Sequence, residues 1–182
     1  MDAEPVVALR AQSAEDEAAM YRLAADLDSF EERSPSPPAP LTLEAYRERE
    51  ARRTPEGATF VITLDGAAVG RCHLFGEDTL ARHAEVGIAL LPEARGRGVG
   101  TAALRQLVEF GFRRRNLRRL HLIVIESNRA AIAAYRKLGF VEEGRRREHC
   151  WVRGRYEDEV VMGLLRSDWD ALGVPASGAM GA

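Results

Sequence analysis

The sequence predicts a mixed α/β domain of the α+β kind, in which a mostly antiparallel sheet is flanked by helices and closed by one parallel strand pair. Three observations carry this. Two β-rich runs, Ala58–Leu64 and Ala67–Phe75, meet at Asp65-Gly66, a dipeptide that tolerates the positive φ angles of a tight hairpin. An amphipathic helical pattern follows a glycine-rich turn, with Ala103, Leu104, Leu107, Val108 and Gly111 at i, i+3 and i+4 spacing. The run Leu120–Ile125 is apolar at nearly every position, as suits a strand buried on both faces where a helical crossover returns the chain parallel to its neighbour.

The remaining elements follow in order. Val6–Leu9 reads as an opening strand. A helix is expected from about Ala14 to Leu27, with Ser13 as N-cap, Asp16 and Glu17 in the first turn, and Met20, Leu23 and Leu27 on one face. Ser34–Pro40 contains four prolines, which forbid regular hydrogen-bonded structure, and Thr42 then caps a short charged helix to Arg53. His83–Leu91 continues the sheet until Pro92. A second helix is expected over Arg129–Leu138, with Ala131, Ala134, Tyr135 and Leu138 on one stripe and Gly139 as terminator. β structure returns at Phe140, turns near Arg153-Gly154 and ends at Leu165, before a short helix to Leu172. Residues 1–172 are expected to form one domain, and the small, Gly-rich segment 173–182 a disordered tail.

Composition narrows the function. With 26 basic against 28 acidic residues, the net charge of −2 gives no general attraction to nucleic acid or an anionic membrane. The arginine runs Arg113–Arg115 and Arg145–Arg147 lack interleaved aromatics and read as solvated faces. No apolar run approaches the roughly 20 residues of a membrane span. The two cysteines, Cys72 and Cys150, have no metal-ligand spacing, and His73, His83, His121 and His149 show no Cys–His ligand spacing, so no metal site is expected. Without a signal pattern at the N-terminus, a reducing cytoplasm is the expected location.

The chemistry concentrates between residues 84 and 140. Arg95-Gly96-Arg97-Gly98-Val99-Gly100, with Thr101 behind it, lies between a strand and a helix. Three glycines there let the backbone approach a ligand while its N–H groups converge at a helix N-terminus, which favours phosphate. A dinucleotide fingerprint is excluded because its third glycine position holds Thr101, and a Walker loop because Gly-Lys-Ser/Thr is absent.

Arg95, Gly98 and Gly100 resemble the pyrophosphate loop Gln/Arg-x-x-Gly-x-Gly/Ala of the GNAT superfamily of N-acetyltransferases. The resemblance continues some thirty residues on, through Asn128, Ala131 and Tyr135-Arg136-Lys137-Leu138-Gly139-Phe140. Val141–Gly144 and Gly154–Asp158 are similar to the branch of ribosomal-protein and spermidine N-acetyltransferases. It implies that acetyl-CoA lies where His83–Leu91 splays from Leu120–Ile125. Backbone groups near Leu90 would meet the pantetheine arm, and the amides of Arg95, Gly96, Arg97, Gly98, Val99, Gly100 and Thr101 the pyrophosphate. Asn128 would bond the cofactor; on the residues alone it serves equally as a helix N-cap.

Acetyl transfer needs a base for an ammonium of pKa about 10.4 and an acid for a departing thiolate of pKa about 8.5. Glu85 is the candidate base, since period-two alternation places it beside Gly87 and Ala89, small residues that leave room for a substrate. Its other reading is a surface carboxylate. The resemblance implies Tyr135 as the acid, although its position on an apolar stripe also suits plain core packing. Amides near Leu90 and Leu91 would stabilise the oxyanion. Asp26, Asp28, Glu31 and Glu32 are candidates for attracting a cationic amine. The expected partners are thus a small-molecule or peptide amine and, optionally, a second copy of the chain in a homodimer. The alternative is a non-catalytic CoA-binding sensor or interaction module.

Overall fold

A computed structural model describes residues 5–31, 38–53 and 57–173. Seven strands form one sheet: β1 (Val7–Arg10), β2 (Ala58–Leu64), β3 (Ala67–Asp78), β4 (His83–Leu90), β5 (Arg119–Ile125), β6 (Val141–Val152) and β7 (Arg155–Leu165). Their spatial order is β1-β2-β3-β4-β5-β7-β6, and every neighbouring pair is antiparallel except β4 with β5. This is the predicted α+β fold. The two hairpin turns form as the dipeptides require, with Asp65 at φ 52° and Gly66 at 85°, and Arg153 at 48° and Gly154 at 85°.

Helices cover the two faces unequally. α4 (Val99–Glu109), a π-helical turn over Phe110–Arg114, α5 (Arg129–Lys137) and α6 (Arg166–Ala171) belong to the face that holds the main core. Leu104, Leu107, Phe112, Leu120 and Leu122 are essentially inaccessible there. The opposite face carries α1 (Glu17–Ala25), α2 (Leu27–Glu31) and α3 (Leu43–Ala51), which is capped by Thr42 Oγ1 accepting from the Ala45 N–H at 3.2 Å. A smaller core of Met20, Leu23, Tyr46, Val61 and Leu91 lies beneath these helices. None of the described helices is long and apolar enough to cross a membrane.

Two expectations need correction. The helix anticipated over Ala14–Leu27 is a 3-10 turn at Ala14–Asp16 followed by α1, and it breaks at Asp26, where ψ is 97°. Asp26 turns its carboxylate onto the backbone N–H and hydroxyl of Ser29, an alternative to continuing the helix that short acidic side chains offer. Leu27 therefore leaves the Met20–Leu23 face and is 40% exposed. The second concerns β5, which buries Leu120, Leu122 and Val124 but leaves His121 and Ile123 half-exposed on the other side. Of the proline segment, residues 34–37, and of the tail, residues 174–182, lie outside the described residues, while residues 38–40 have no regular structure.

Candidate active site

The parallel pairing of β4 with β5 covers only His83–Glu85 against Arg119–His121, yet β4 runs on to Leu90 and β5 to Ile125. The strands therefore diverge and open a wedge. On its other edge β4 stays paired with β3, and the Leu91 N–H donates to Val69 O at 2.9 Å. Hydrogen-bonded and non-hydrogen-bonded pairs alternate along an antiparallel ladder, so the Gly70/Leu90 and Cys72/Ile88 pairs turn their backbone groups away from each other. The N–H and C=O of Ile88 and Leu90 thus face the wedge. Leu91 does not, because its N–H is committed to β3; of the two amides expected to face an oxyanion, only that of Leu90 does.

The wedge is the mouth of a cleft of 340 Å³, with Ile88, Leu90 and the turn before α4 on one side and α5 on the other. In the turn, Gly96 (φ 70°) and Gly98 (φ 78°) adopt left-handed conformations. Nothing stands within 4 Å of where a Cβ would be at either position, so glycine is required for the backbone conformation rather than for space. Gly98 is the N-cap of α4 and offers no side-chain acceptor, and the helical ladder begins only with the Ala102 N–H bonding Gly98 O at 3.0 Å. The N–H groups of Val99, Gly100 and Thr101 consequently point outward from the positive end of an 11-residue helix.

The predicted loop residues divide into distinct parts. Gly96, Gly98, Gly100 and Thr101 line the cleft, as do Leu90 and Arg95, whereas the Val99 side chain is buried in the core and Arg97 is exposed. The Arg95 amide is spent on Pro92 O at 3.1 Å, which removes it from the expected set of phosphate donors. Its guanidinium instead pins the turn, bonding Leu90 O from Nε (3.0 Å) and Nη2 (2.8 Å), with further contacts to Ser29 and Asp26. Asp26 is therefore engaged in an ion pair beside the turn rather than offered to a cationic amine. Asn128 caps α5, its Oδ1 accepting from the Ala131 N–H at 3.2 Å, and the residue also lines the cleft.

Tyr135 forms part of the α5 wall of the cleft and packs edge-on against Phe140 at 5.8 Å. Burial disfavours its phenolate and pushes the hydroxyl up to about 12, so it remains a proton donor at any physiological pH. Glu85 lies on the opposite face of β4. Burial raises its carboxyl above the usual range, with Arg146 opposing and Glu159 reinforcing the shift, and His121 Nε2 stands 4.0 Å away. The room expected over Gly87 is filled: a Cβ there would come within 2.4 Å of His73 Nε2, so the imidazole lies between Glu85 and Ala89.

The sequence matches the model of the acetyltransferase (GNAT) family over residues 19–140. The chain belongs to the GNAT acetyltransferase family. It is an acetyl-CoA-dependent N-acetyltransferase. Among relatives it is 30% identical over 137 residues to the putative ribosomal N-acetyltransferase YdaF of Bacillus subtilis, covering 72% of this chain and 75% of that one. Against spermidine N(1)-acetyltransferase of Escherichia coli it is 34% identical over 110 residues, covering 60% and 59%. The crystal structure of spermidine N-acetyltransferase from Vibrio cholerae in complex with CoA and spermine superposes with a TM-score of 0.80 at 25% identity, over 90% of this chain and 97% of that one.

The acetyltransferase also has a feature that the sequence reading missed. A second pocket, of 130 Å³, opens on the far face of the sheet beneath α1–α3 and is lined by Met20, Leu23, Phe30, Arg49, Arg71 and His73. Ala89 borders both this pocket and the cleft, so the two meet through β4. The signal for part of it was available, because alternation along β3 places Arg71 and His73 on the face shared with Gly87 and Ala89. Among the described residues no cluster of His, Cys, Asp and Glu suits a metal ion.

Proposed function

We propose that this acetyltransferase moves the acetyl group of acetyl-CoA directly onto a primary amine, with Tyr135 as acid and Glu85 as base. The reading rests on one observation: the divergence of β4 from β5 joins a phosphate-accepting turn, a tyrosine-bearing wall and, through Ala89, a pocket on the other side of the sheet.

The residues suit the donor. The outward N–H groups from Gly96 to Thr101 hold the diphosphate, and the α4 dipole adds to their field. Ile88, beside Leu90, presents its backbone groups to the amides of the pantetheine arm, while Arg95 holds the Leu90 C=O, and Ala131 and Ala134 give the arm an apolar wall. The Asn128 side-chain NH₂ supplies a donor from the α5 side. Acetyl-CoA contributes an activated thioester carbonyl, which the Leu90 N–H polarises as the oxyanion develops.

The acceptor enters from the pocket across the sheet and attacks at Ala89. Its ammonium proton passes through water or the His73 imidazole to Glu85, whose raised pKa brings it nearer to working pH. Tyr135 protonates the departing thiolate. The relatives are named for ribosomal-protein and spermidine acetylation, and both are transfers to amines.

A thiol-release assay with acetyl-CoA and a panel of peptide N-termini, polyamines and amino acids tests the reaction. Turnover with at least one amine that falls on Tyr135→Phe substitution is expected. Tight CoA binding with no turnover on any amine would instead support the non-catalytic sensor.

A further inference from the structure

The pocket across the sheet has a charge that bears on the acceptor. Its described lining contains no Asp or Glu, yet it presents the guanidinium groups of Arg49 and Arg71 beside the apolar side chains of Met20, Leu23 and Phe30. One carboxylate stands nearby, that of Glu50, and it is divided between Arg71 (Nη2–Oε2 3.2 Å) and Arg53 (Nη1–Oε2 3.4 Å). Two guanidiniums thus share the Glu50 carboxylate, Arg71 also meeting it from Nη1 at 3.5 Å, and Arg49 adds a further positive charge at the pocket. Among the described residues Arg49 pairs with no carboxylate; its guanidinium lies 5.8 Å from the Tyr46 ring centroid. Arg71 Nε is buried without a hydrogen-bond partner among the described residues, a donor left over after Glu50 and Gln12 have taken the Nη groups. Asp26, between α1 and α2, is held by Arg95.

From this arrangement we infer that the acceptor is an amine that also carries a carboxylate and an apolar substituent, that is, an apolar α-amino acid, and that it is selected over polyamines. The inference rests on the amine-acetylation reading and adds the acceptor's class to it. With the carboxylate against Arg49 and Arg71 and the side chain among Met20, Leu23 and Phe30, the amine projects toward Ala89, where the pocket meets the thioester end of the cleft. A polyamine placed there brings several ammonium groups against arginines with no carboxylate in the described lining to receive them, a like-charge arrangement that costs binding.

The test compares L-leucine, L-leucinamide and spermidine as acceptors at saturating acetyl-CoA, by thiol release, in the full chain and in Arg49→Gln. Leucinamide differs from leucine only in carrying a neutral carboxamide where leucine has its carboxylate. Its amine is less basic, so the free-amine fraction at neutral pH favours it, and a preference for leucine is read against that bias. Leucine is expected to exceed leucinamide in kcat/KM by about 10- to 100-fold, the range of one or two charge-assisted hydrogen bonds. Spermidine is expected below leucine. Arg49→Gln is expected to shrink the leucine-to-leucinamide ratio by about 10-fold while the calorimetric Kd for CoA stays unchanged. Leucinamide or spermidine used as well as leucine, or a ratio unmoved by Arg49→Gln, overturns the inference and leaves the acetyl-transfer reading standing. Absence of thiol release with every amine overturns both.

Discussion

Replacing Tyr135 by Phe removes one oxygen from the cleft wall and leaves the rest of the side chain in place. The ring keeps its edge-on contact with Phe140, and Ile132 and Leu138 of the same buried stripe are untouched. Stability is therefore expected to change by less than about 1 kcal/mol. The catalytic effect is larger for a physical reason. A thiolate of pKa about 8.5 is a poor match for a phenol raised to about 12 in the ligand-free protein, a gap of roughly 5 kcal/mol. The departing sulfur, however, develops its charge in the same apolar cleft, and the burial that raises Tyr135 also penalises an unprotonated thiolate, so the gap narrows as the bond breaks. Loss of the donor strands that charge and is expected to lower kcat by about 100-fold or more, with CoA affinity unchanged. The assay is steady-state thiol release, with calorimetry for CoA and thermal unfolding as controls. A Tyr135→Phe enzyme with kcat close to wild type refutes this reasoning and returns Tyr135 to plain core packing.

Three other perturbations follow from the same structure. Glu85→Gln is expected to abolish a rising limb of kcat/KM that in the wild type lies above the ordinary carboxylate range, because burial raises the Glu85 carboxyl; a pH-rate profile identical to wild type counts against the base assignment. Gly98→Ala places a side chain at φ 78°, costing roughly 1–2 kcal/mol, and is expected to loosen CoA by about 10-fold as the turn relaxes, measured by calorimetry. Asp16 is buried against Arg10 at 2.7 Å, and this pairing holds its carboxyl at about 2, below the unfolded value. Its folded pKa being depressed, the stabilisation is present above the unfolded pKa and fades as pH falls toward 2. Asp16→Asn is expected to cost about 2 kcal/mol at pH 7 and almost nothing near pH 2, read from urea unfolding.

Local chemistry made much of the fold legible. Asp65-Gly66 specifies a hairpin because few dipeptides accept two positive φ angles, the second turn is marked by Gly154 alone, and the turn after Pro92 declares itself by its glycines. The break at Asp26 was hidden because helical periodicity continues through Leu27; only the competing bonds to Ser29 show that the helix ends. β5 misled for a related reason. An apolar run records composition but not whether both faces are covered, and the half-exposed His121 and Ile123 show that one is not.

The site divides along the same line. The glycine turn proposed to hold the diphosphate is contiguous in sequence, and its place at a helix N-terminus was readable. Which amides in it are available was not, since that depends on the Arg95 N–H reaching Pro92 O and the Leu91 N–H reaching Val69 O. The pocket proposed for the acceptor is assembled from α1, α2, α3, β3 and β4, and nothing local marks Arg49 and Arg71 as neighbours. Glu85 was chosen by alternation, which correctly set its face but took no account of the His73 imidazole crossing over Gly87 from the adjacent strand.

Titration of CoA into the purified chain by calorimetry addresses the central claim most directly, because every catalytic assignment depends on the turn from Gly96 to Thr101 holding the diphosphate. Saturable one-to-one binding, weakened about 10-fold by Gly98→Ala and lost progressively when the diphosphate end of the ligand is removed, is expected. No heat of binding at millimolar CoA, or affinity indifferent both to Gly98→Ala and to loss of the diphosphate, contradicts it.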